Sequence, residues 1–277
     1  MNIRTFGACA MTVAAALAGM QQARAEDWSD TSIGYRYGTD FKEPYVANGA
    51  NIAKGIVDVQ HVGGYKYGTN FFNLDVLMSN STDNSATEAY LVYRNTVDLS
   101  KVTGKKYEFG PVRDLGLTAG FDLNTKNDPG YGSRKRMLVI GPTVVLNVPG
   151  FLNVSLLVLD ESNQPAVGDT CNCRYTYRTH PDLNLVWGIP LGSSNFNFQG
   201  YFDWIGSKGS NEFGGATGPE THFDGALMYD LGPALHMAKN TFKVGFEYEY
   251  WRNKFGNPSN VPGSLAKTPM IRAEYHF

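Results

Sequence analysis

The sequence predicts an all-β fold, a transmembrane antiparallel β-barrel of about twelve strands with short periplasmic turns and longer extracellular loops. Three observations predict it. First, Thr268–Phe277 (T-P-M-I-R-A-E-Y-H-F) sets Ile271, Ala273, Tyr275 and Phe277 on one face of an extended strand. Met270, Arg272, Glu274 and His276 fall on the other face. Period-two alternation of this kind gives an apolar row for lipid and an ionic row for a wet lumen, with an aromatic end at the membrane–water boundary. Second, the alternation recurs along the chain, and long connections alternate with short ones. Third, residues 1–25 read as a cleaved secretory signal peptide: Arg4, the apolar stretch Ala8–Ala18, then Ala23-Arg24-Ala25 before Glu26.

The apolar stretch of that signal is too short to span a bilayer, and no later run approaches the roughly 20 apolar residues of a membrane helix. Residues 26–277 carry no Pro/Ser linker, charge block or low-complexity stretch, so one barrel domain is expected. Losing Arg4 and Arg24 takes the net charge from −2 to −4, which offers no basic face to nucleic acid. Cys171 and Cys173 stand one residue apart in a loop, as thiols or as a local bridge, and no further ligands stand near them to make a metal site. No cofactor is implied.

Taken in order, Thr31–Gly38 sets Ile33, Tyr35 and Tyr37 against Gly34 and Arg36. Gly55–Tyr67 opposes Val57, Val59, Tyr65 and Tyr67 to Asp58, Gln60 and Lys66, and a tight Gly68-Thr69 turn follows. Phe72, Leu74, Val76 and Met78 then oppose Asn73 and Asp75; Ala89, Leu91 and Tyr93 oppose Glu88, Tyr90 and Arg94. Val97–Pro111 is longer and has room for a helical turn around Leu99–Thr103. Asp114–Asn124 is the cleanest strand, with Leu115, Leu117, Ala119, Phe121 and Leu123 against Asp114, Thr118 and Asp122. Lys135–Asn147 and Phe151–Asp160 are joined by the turn Val148-Pro149-Gly150.

Arg174–Gly188 reads as one strand, with Tyr175, Tyr177, Leu183, Leu185 and Trp187 opposed to Arg174, Arg178, His180 and Asn184. Phe196, Phe198, Phe202 and Trp204 oppose Asn197, Gln199, Tyr201 and Asp203. Phe223, Leu227, Tyr229 and Leu231 oppose His222, Asp224, Met228 and Asp230. Phe242, Val244, Phe246, Tyr248 and Tyr250 oppose Lys243, Glu247, Glu249 and Trp251. External loops are expected at 39–54, 79–86, 124–134, 160–173, 206–219 and 253–266. A soluble sandwich, which buries its apolar rows against each other, predicts no such rhythm.

The segment Lys105–Asp114 (K-K-Y-E-F-G-P-V-R-D) resembles the F-G-P-(V/F)-(K/R) stretch of the Tsx-like outer-membrane channels, the nucleoside-specific channel-forming proteins. Arg36–Pro44 (R-Y-G-T-D-F-K-E-P) is similar to the region after that family's first strand, where a Phe followed closely by Pro sits at the channel mouth. Phe41 is the matching position, with Lys42-Glu43 standing between it and Pro44. The resemblance implies twelve strands, a terminal aromatic, a location in the outer membrane of a Gram-negative cell and a porin-like passage for nucleosides. It also implies Phe41 as a mouth residue.

The polar rows supply the lining. Arg36, Arg94, Arg178, Tyr201, Asp203, Glu247, Trp251 and Arg272 are the expected substrate-binding residues, together with Phe41. Both signs are mixed, unlike the single-sign rings of an ion-selective pore. Aromatic faces and hydrogen-bonding groups of this kind suit a neutral, polar solute with a flat ring. The expected partners are that small solute and outer-membrane lipid, with phage or colicin binding open to any external loops, and the expected state is a monomer. Two other classes fit the pattern. A structural or adhesive barrel would keep the same ionic residues paired and its lumen blocked; a general small pore would pass solutes without choosing. A hydrolase would use His222, Asp224 or Asp203 near the outer rim, but the chain carries no G-x-S-x-G motif, and the reading is a non-enzyme.

Overall fold

A computed structural model describes residues 26–165 and 173–277. The signal peptide expected at residues 1–25, and Cys171, lie outside the described residues; Cys173 is disulfide-bonded. The strands are β1 (Trp28–Phe41), β2 (Ile52–Tyr65), β3 (Gly68–Ser79), β4 (Thr87–Asp98), β5 (Val112–Asn127), β6 (Arg136–Leu146) and β7 (Phe151–Asn163). They continue with β8 (Tyr175–Thr176), β9 (His180–Pro190), β10 (Phe196–Ile205), β11 (Glu220–Asp230), β12 (Phe242–Arg252) and β13 (Leu265–His276). Each long strand pairs antiparallel with the long strands before and after it, and β1 pairs with β13, so the sheet closes on itself. The two-residue β8 prolongs β9 along the edge of β7. Twelve long strands therefore form the cylinder. Closure matters because lipid offers no hydrogen bonds to an open sheet edge.

Both described ends lie at the end of the barrel that carries the short turns. The connection from β4 to β5 is the long exception there, and it holds the helical turn α1 (Leu99–Thr103), closed by Gly104 at φ 70°. The turn between β2 and β3 lies at Lys66-Tyr67 rather than at Gly68-Thr69. Gly68 already belongs to the sheet: a Cβ there would stand 1.9 Å from the Thr96 carbonyl oxygen on β4. It is glycine for close approach to the next strand, not for turning.

The faces follow the alternation. Ile33, Tyr35, Leu117, Phe121, Leu138, Phe246, Tyr248 and Ile271 are exposed on the outside, Phe246 to 75%. Ser32, Arg36, Asp58, Asp122, Asp224 and Glu274 are buried inside. An exterior of large apolar side chains around a polar interior is the inverse of a water-soluble protein and is what a bilayer selects.

Three irregularities shift the register between neighbouring strands, and two of them turn side chains over. One extra residue in β1 lies between Gly38 and Phe41, opposite β2, and swings Phe41 inward. A second, between Val112 and Asp114 in β5, shifts the register against β6 by one residue and leaves both side chains inside, on the face that period two already gives them. A third separates β8 from β9, since Ser162 pairs with Thr176 whereas Leu159 pairs with His180. The single strand expected over Arg174–Gly188 is broken there. Tyr177 turns inward and Arg178 outward, against the expectation.

An apolar patch of the inner wall is formed by Met137, Val139, Leu157 and Leu159, with Ile205 packed on them. Leu159 is 1% exposed. Leu159→Ala removes a fully buried side chain, at a cost of about 2–5 kcal/mol. The expected result is a lower temperature for conversion of the folded gel band to the unfolded one, with the β circular-dichroism signal at 25 °C unchanged; an unaltered transition contradicts this packing.

Candidate functional site

The barrel interior is the candidate site, and the chain that builds it begins with two arginines. Arg36 on β1 and Arg272 on β13 are directly opposed partners facing inside. Like charges in that position repel, so the pair exists only because carboxylates surround it. Glu247 on β12 accepts from both, Arg36 Nη1 at 3.0 Å and Arg272 Nη1 at 2.8 Å. Asp75 on β3 takes Arg36 Nη2 at 2.6 Å, and Glu274 lies 2.6 Å from Arg272 Nε. Asp58 on β2 sits between, 3.5 Å from Arg36 Nε and 3.8 Å from Arg272 Nη2. Its place depends on Gly34, because a Cβ there would stand 2.5 Å from the Asp58 carboxylate.

The line of ions continues toward the periplasmic end. Glu274 accepts from Gln199 Nε2 at 2.9 Å and lies 3.3 Å from His276 Nε2. The other ring nitrogen, His276 Nδ1, is 2.8 Å from Asp30. An ionic ladder thus runs Asp75, Arg36, Glu247, Arg272, Glu274, His276, Asp30.

Other parts of the wall have their own polar sets. Arg94 and Tyr90 on β4 both bond Asp122 on β5. Asn184 on β9 donates to Asp203 on β10 at 2.6 Å. Four hydroxyls on successive strands, Thr96, Thr118, Thr143 and Ser155, form a chain at 2.8, 2.5 and 2.8 Å. Buried polar groups partnered in this way hold a defined interior.

An aromatic column stands beside the ladder. Tyr201 Oη lies 3.3 Å from His222 Nε2, and the His222 ring stacks on Trp251 at 3.9 Å between centroids. Trp251 meets Phe255 edge-on and donates to Glu220 at 3.1 Å. Its neighbour Lys254 lies 4.6 Å from its ring centroid.

External loops close over the outer end through buried ion pairs. Glu43 lies 2.5 Å from Lys54 Nζ and 3.3 Å from Lys254 Nζ, which joins the first and last loops. Burial pushes the Glu43 carboxyl up, but Lys254 and Lys54 outweigh it and hold the group well below the ordinary carboxylate range. A depressed folded value means the latch contributes above the ordinary range and is lost only as pH falls through the lowered one. Lys208 reaches down to Glu161 at 3.1 Å. Glu212, on the same loop, accepts from Tyr177 Oη at 2.7 Å and from Tyr131 Oη, tying three loops together.

Arg36, Arg94, Tyr201, Asp203, Glu247, Trp251 and Arg272 all face the interior as expected, and Arg36, Glu247 and Arg272 meet in one cluster. Phe41 is inside but 3% exposed, packed with Ile52, Ile56 and Met270, so its ring presents no open face at the mouth. Arg178 does not belong to the interior. The bulge before β9 leaves it exposed at the external end, where its N–H donates to the Lys208 carbonyl. Alternation could have added Lys54, which shares a face with Asp58. Glu43, Lys208 and Lys254 come from loops and carry no periodic signal.

Among solved structures, an outer-membrane channel from Pseudomonas putida F1 is similar at a TM-score of 0.50 and 11% identity, over 93% of this chain and all of that one. The KdgM porin gives 0.45 and 13%, over 89% and 99%. The translocator domain of the autotransporter NalP from Neisseria meningitidis gives 0.46 and 12%, over 99% and 96%. No family model matches the sequence, and no curated protein matches it. Likeness at these identities concerns the fold, which is that of an outer-membrane β-barrel.

Breaking the ladder tests its role. Arg36→Met leaves the half-buried Asp75 without its cation and the buried Asp58 and Glu247 with Arg272 alone, a cost of up to about 3–5 kcal/mol before water enters to relieve it. The thermal gel transition is expected to fall, and Asp75→Asn in the same chain to recover part of the loss. Equal transitions for wild type and Arg36→Met would show that the cluster carries no net stability.

Proposed function

We propose that the chain is a passive, substrate-selective outer-membrane channel and that nucleosides are the solutes it favours. One observation carries the reading. Polar side chains line the interior from the Glu43–Lys54–Lys254 latch, through Arg36, Glu247 and Arg272, to His276 and Asp30, with Tyr201, His222 and Trp251 beside them. The fold likeness to an outer-membrane channel and the F-G-P-V-R resemblance at Phe109–Arg113 support it.

A small solute would pass by exchanging contacts with these groups, each ion pair parting and re-forming behind it. A flat base would stack on Trp251 or Tyr201, and sugar hydroxyls would bond Asp203, Arg94 or Glu247. Weak sites in series let a solute enter without trapping it. Transport down a gradient needs no cofactor and no energy source.

The pairing of Arg36 with three carboxylates also favours a second reading, a structural barrel whose lumen stays closed. Flux separates the two. Reconstituted into vesicles, the channel is expected to admit adenosine faster than glucose at equal gradients, and a closed barrel admits neither. Trp251→Ala is expected to raise the half-saturating nucleoside concentration about tenfold, the size of one lost stacking contact, while Arg178→Ala leaves it unchanged. Saturation unaltered by Trp251→Ala, with flux intact, would remove the column from the path.

A further inference from the structure

The barrel wall has a weak place. β1 and β13 pair from Ser32↔His276 up to Gly38↔Met270 and no further, although β13 extends on to Leu265 and β1 to Phe41. The sequence explains the stop. Pro269 has no N–H to give to the ladder, and the bulge between Gly38 and Phe41 carries β1 out of register. Beyond the last pair, Thr268 Oγ1 donates to the Asp40 carbonyl at 3.2 Å. Higher still the loops rejoin, with the Tyr45 N–H on the Pro262 carbonyl at 2.9 Å.

A groove of about 260 Å³ opens on the outside at this break, lined by Tyr37, Gly38, Thr39, Phe246, Pro269 and Ile271, with Met270 among them. It belongs to the lipid-facing surface: Phe246 is 75% exposed and Ile271 58%. Met270 itself is 4% exposed, and on its inner side it packs with Phe41, Ile52 and Ile56. This cluster is apolar, in an interior otherwise rich in ion pairs. Gly38 makes room for the arrangement, because a Cβ there would stand 2.8 Å from Met270 Cγ. The flexible Met270 side chain thus stands between a groove on the lipid face and a packed apolar cluster inside the wall, and methionine adapts its shape more readily than any branched residue.

We propose that this groove is a binding site for one acyl chain of the surrounding bilayer, with Met270 as a movable plug past which the chain tip reaches the Phe41–Ile52–Ile56 cluster. The occupant follows from continuity. The groove is part of the apolar belt that lipid already covers, its lining is apolar except for Thr39, and it carries no charged side chain to recruit anything else. The site is independent of the polar passage and would stand if the channel proved closed.

The test uses the full chain in phosphatidylcholine vesicles that contain a phosphatidylcholine with a diazirine at the end of one acyl chain. After irradiation, adducts are mapped by peptide mass spectrometry. The proposal expects adducts on Phe41, Ile52 or Ile56 in addition to those on Tyr37, Phe246 and Ile271. Met270→Trp, a bulkier plug, is expected to lose the inner adducts and keep the outer ones, and Met270→Ala to gain inner adducts. The wild-type map decides by itself if either variant fails to assemble. Wild-type adducts confined to outward residues would overturn the proposal, as would inner adducts undiminished by Met270→Trp.

Discussion

The structure depends on one constraint: inside a bilayer, the backbone of each strand must be satisfied by its neighbours and its apolar row must face lipid. Closing twelve long strands meets the first demand, and period-two alternation meets the second. What remains is forced inward. Ionic side chains on many strands, Arg36, Asp58, Asp122, Asp224, Glu247 and Glu274 among them, enter the barrel interior, which therefore has to balance its own charge. The opposed Arg36 and Arg272 show how this is done, since neither position is tolerable without Glu247 bridging them and Gly34 admitting Asp58.

On the proposed reading, that balance would also shape what the barrel passes. A lumen of matched pairs would yield, on that reading, to a solute able to replace the bonds it breaks. Polar solutes with many hydrogen-bonding groups would meet that condition. The loop latches Glu43–Lys54–Lys254 and Lys208–Glu161 extend the same chemistry to the outer end. Entry, on this account, is controlled by exchange of partners rather than by diameter alone.

Much of this was legible in the sequence because the barrel obeys a single period. Strand number and the inward set Arg36, Arg94, Tyr201, Asp203, Glu247, Trp251 and Arg272 follow from alternation, and the sidedness of the loops and the turn at Leu99–Thr103 from the lengths of the connections. The failures share one cause. A one-residue bulge reverses every face beyond it, and no residue type announced the extra residues near Thr39 or between Thr176 and His180. Arg178 and Tyr177 exchanged sides for that reason, and Phe41 turned into an apolar cluster. Loop residues that dip into the mouth escaped for another: Glu43, Lys208 and Lys254 are placed by tertiary contacts with no local pattern behind them. The opposition of Arg36 to Arg272 needed the register, which alternation alone does not supply.

The central claim is that the paired interior is a narrow passage that opens to suitable solutes. Single-channel recording of the purified protein in a planar bilayer tests it most directly. The account predicts small, steady conductance steps that adenosine or thymidine reduces at concentrations where glucose has no effect. Inserted protein that never conducts would contradict it and leave a sealed barrel; steps indifferent to all three solutes would contradict the selectivity and leave a general small pore.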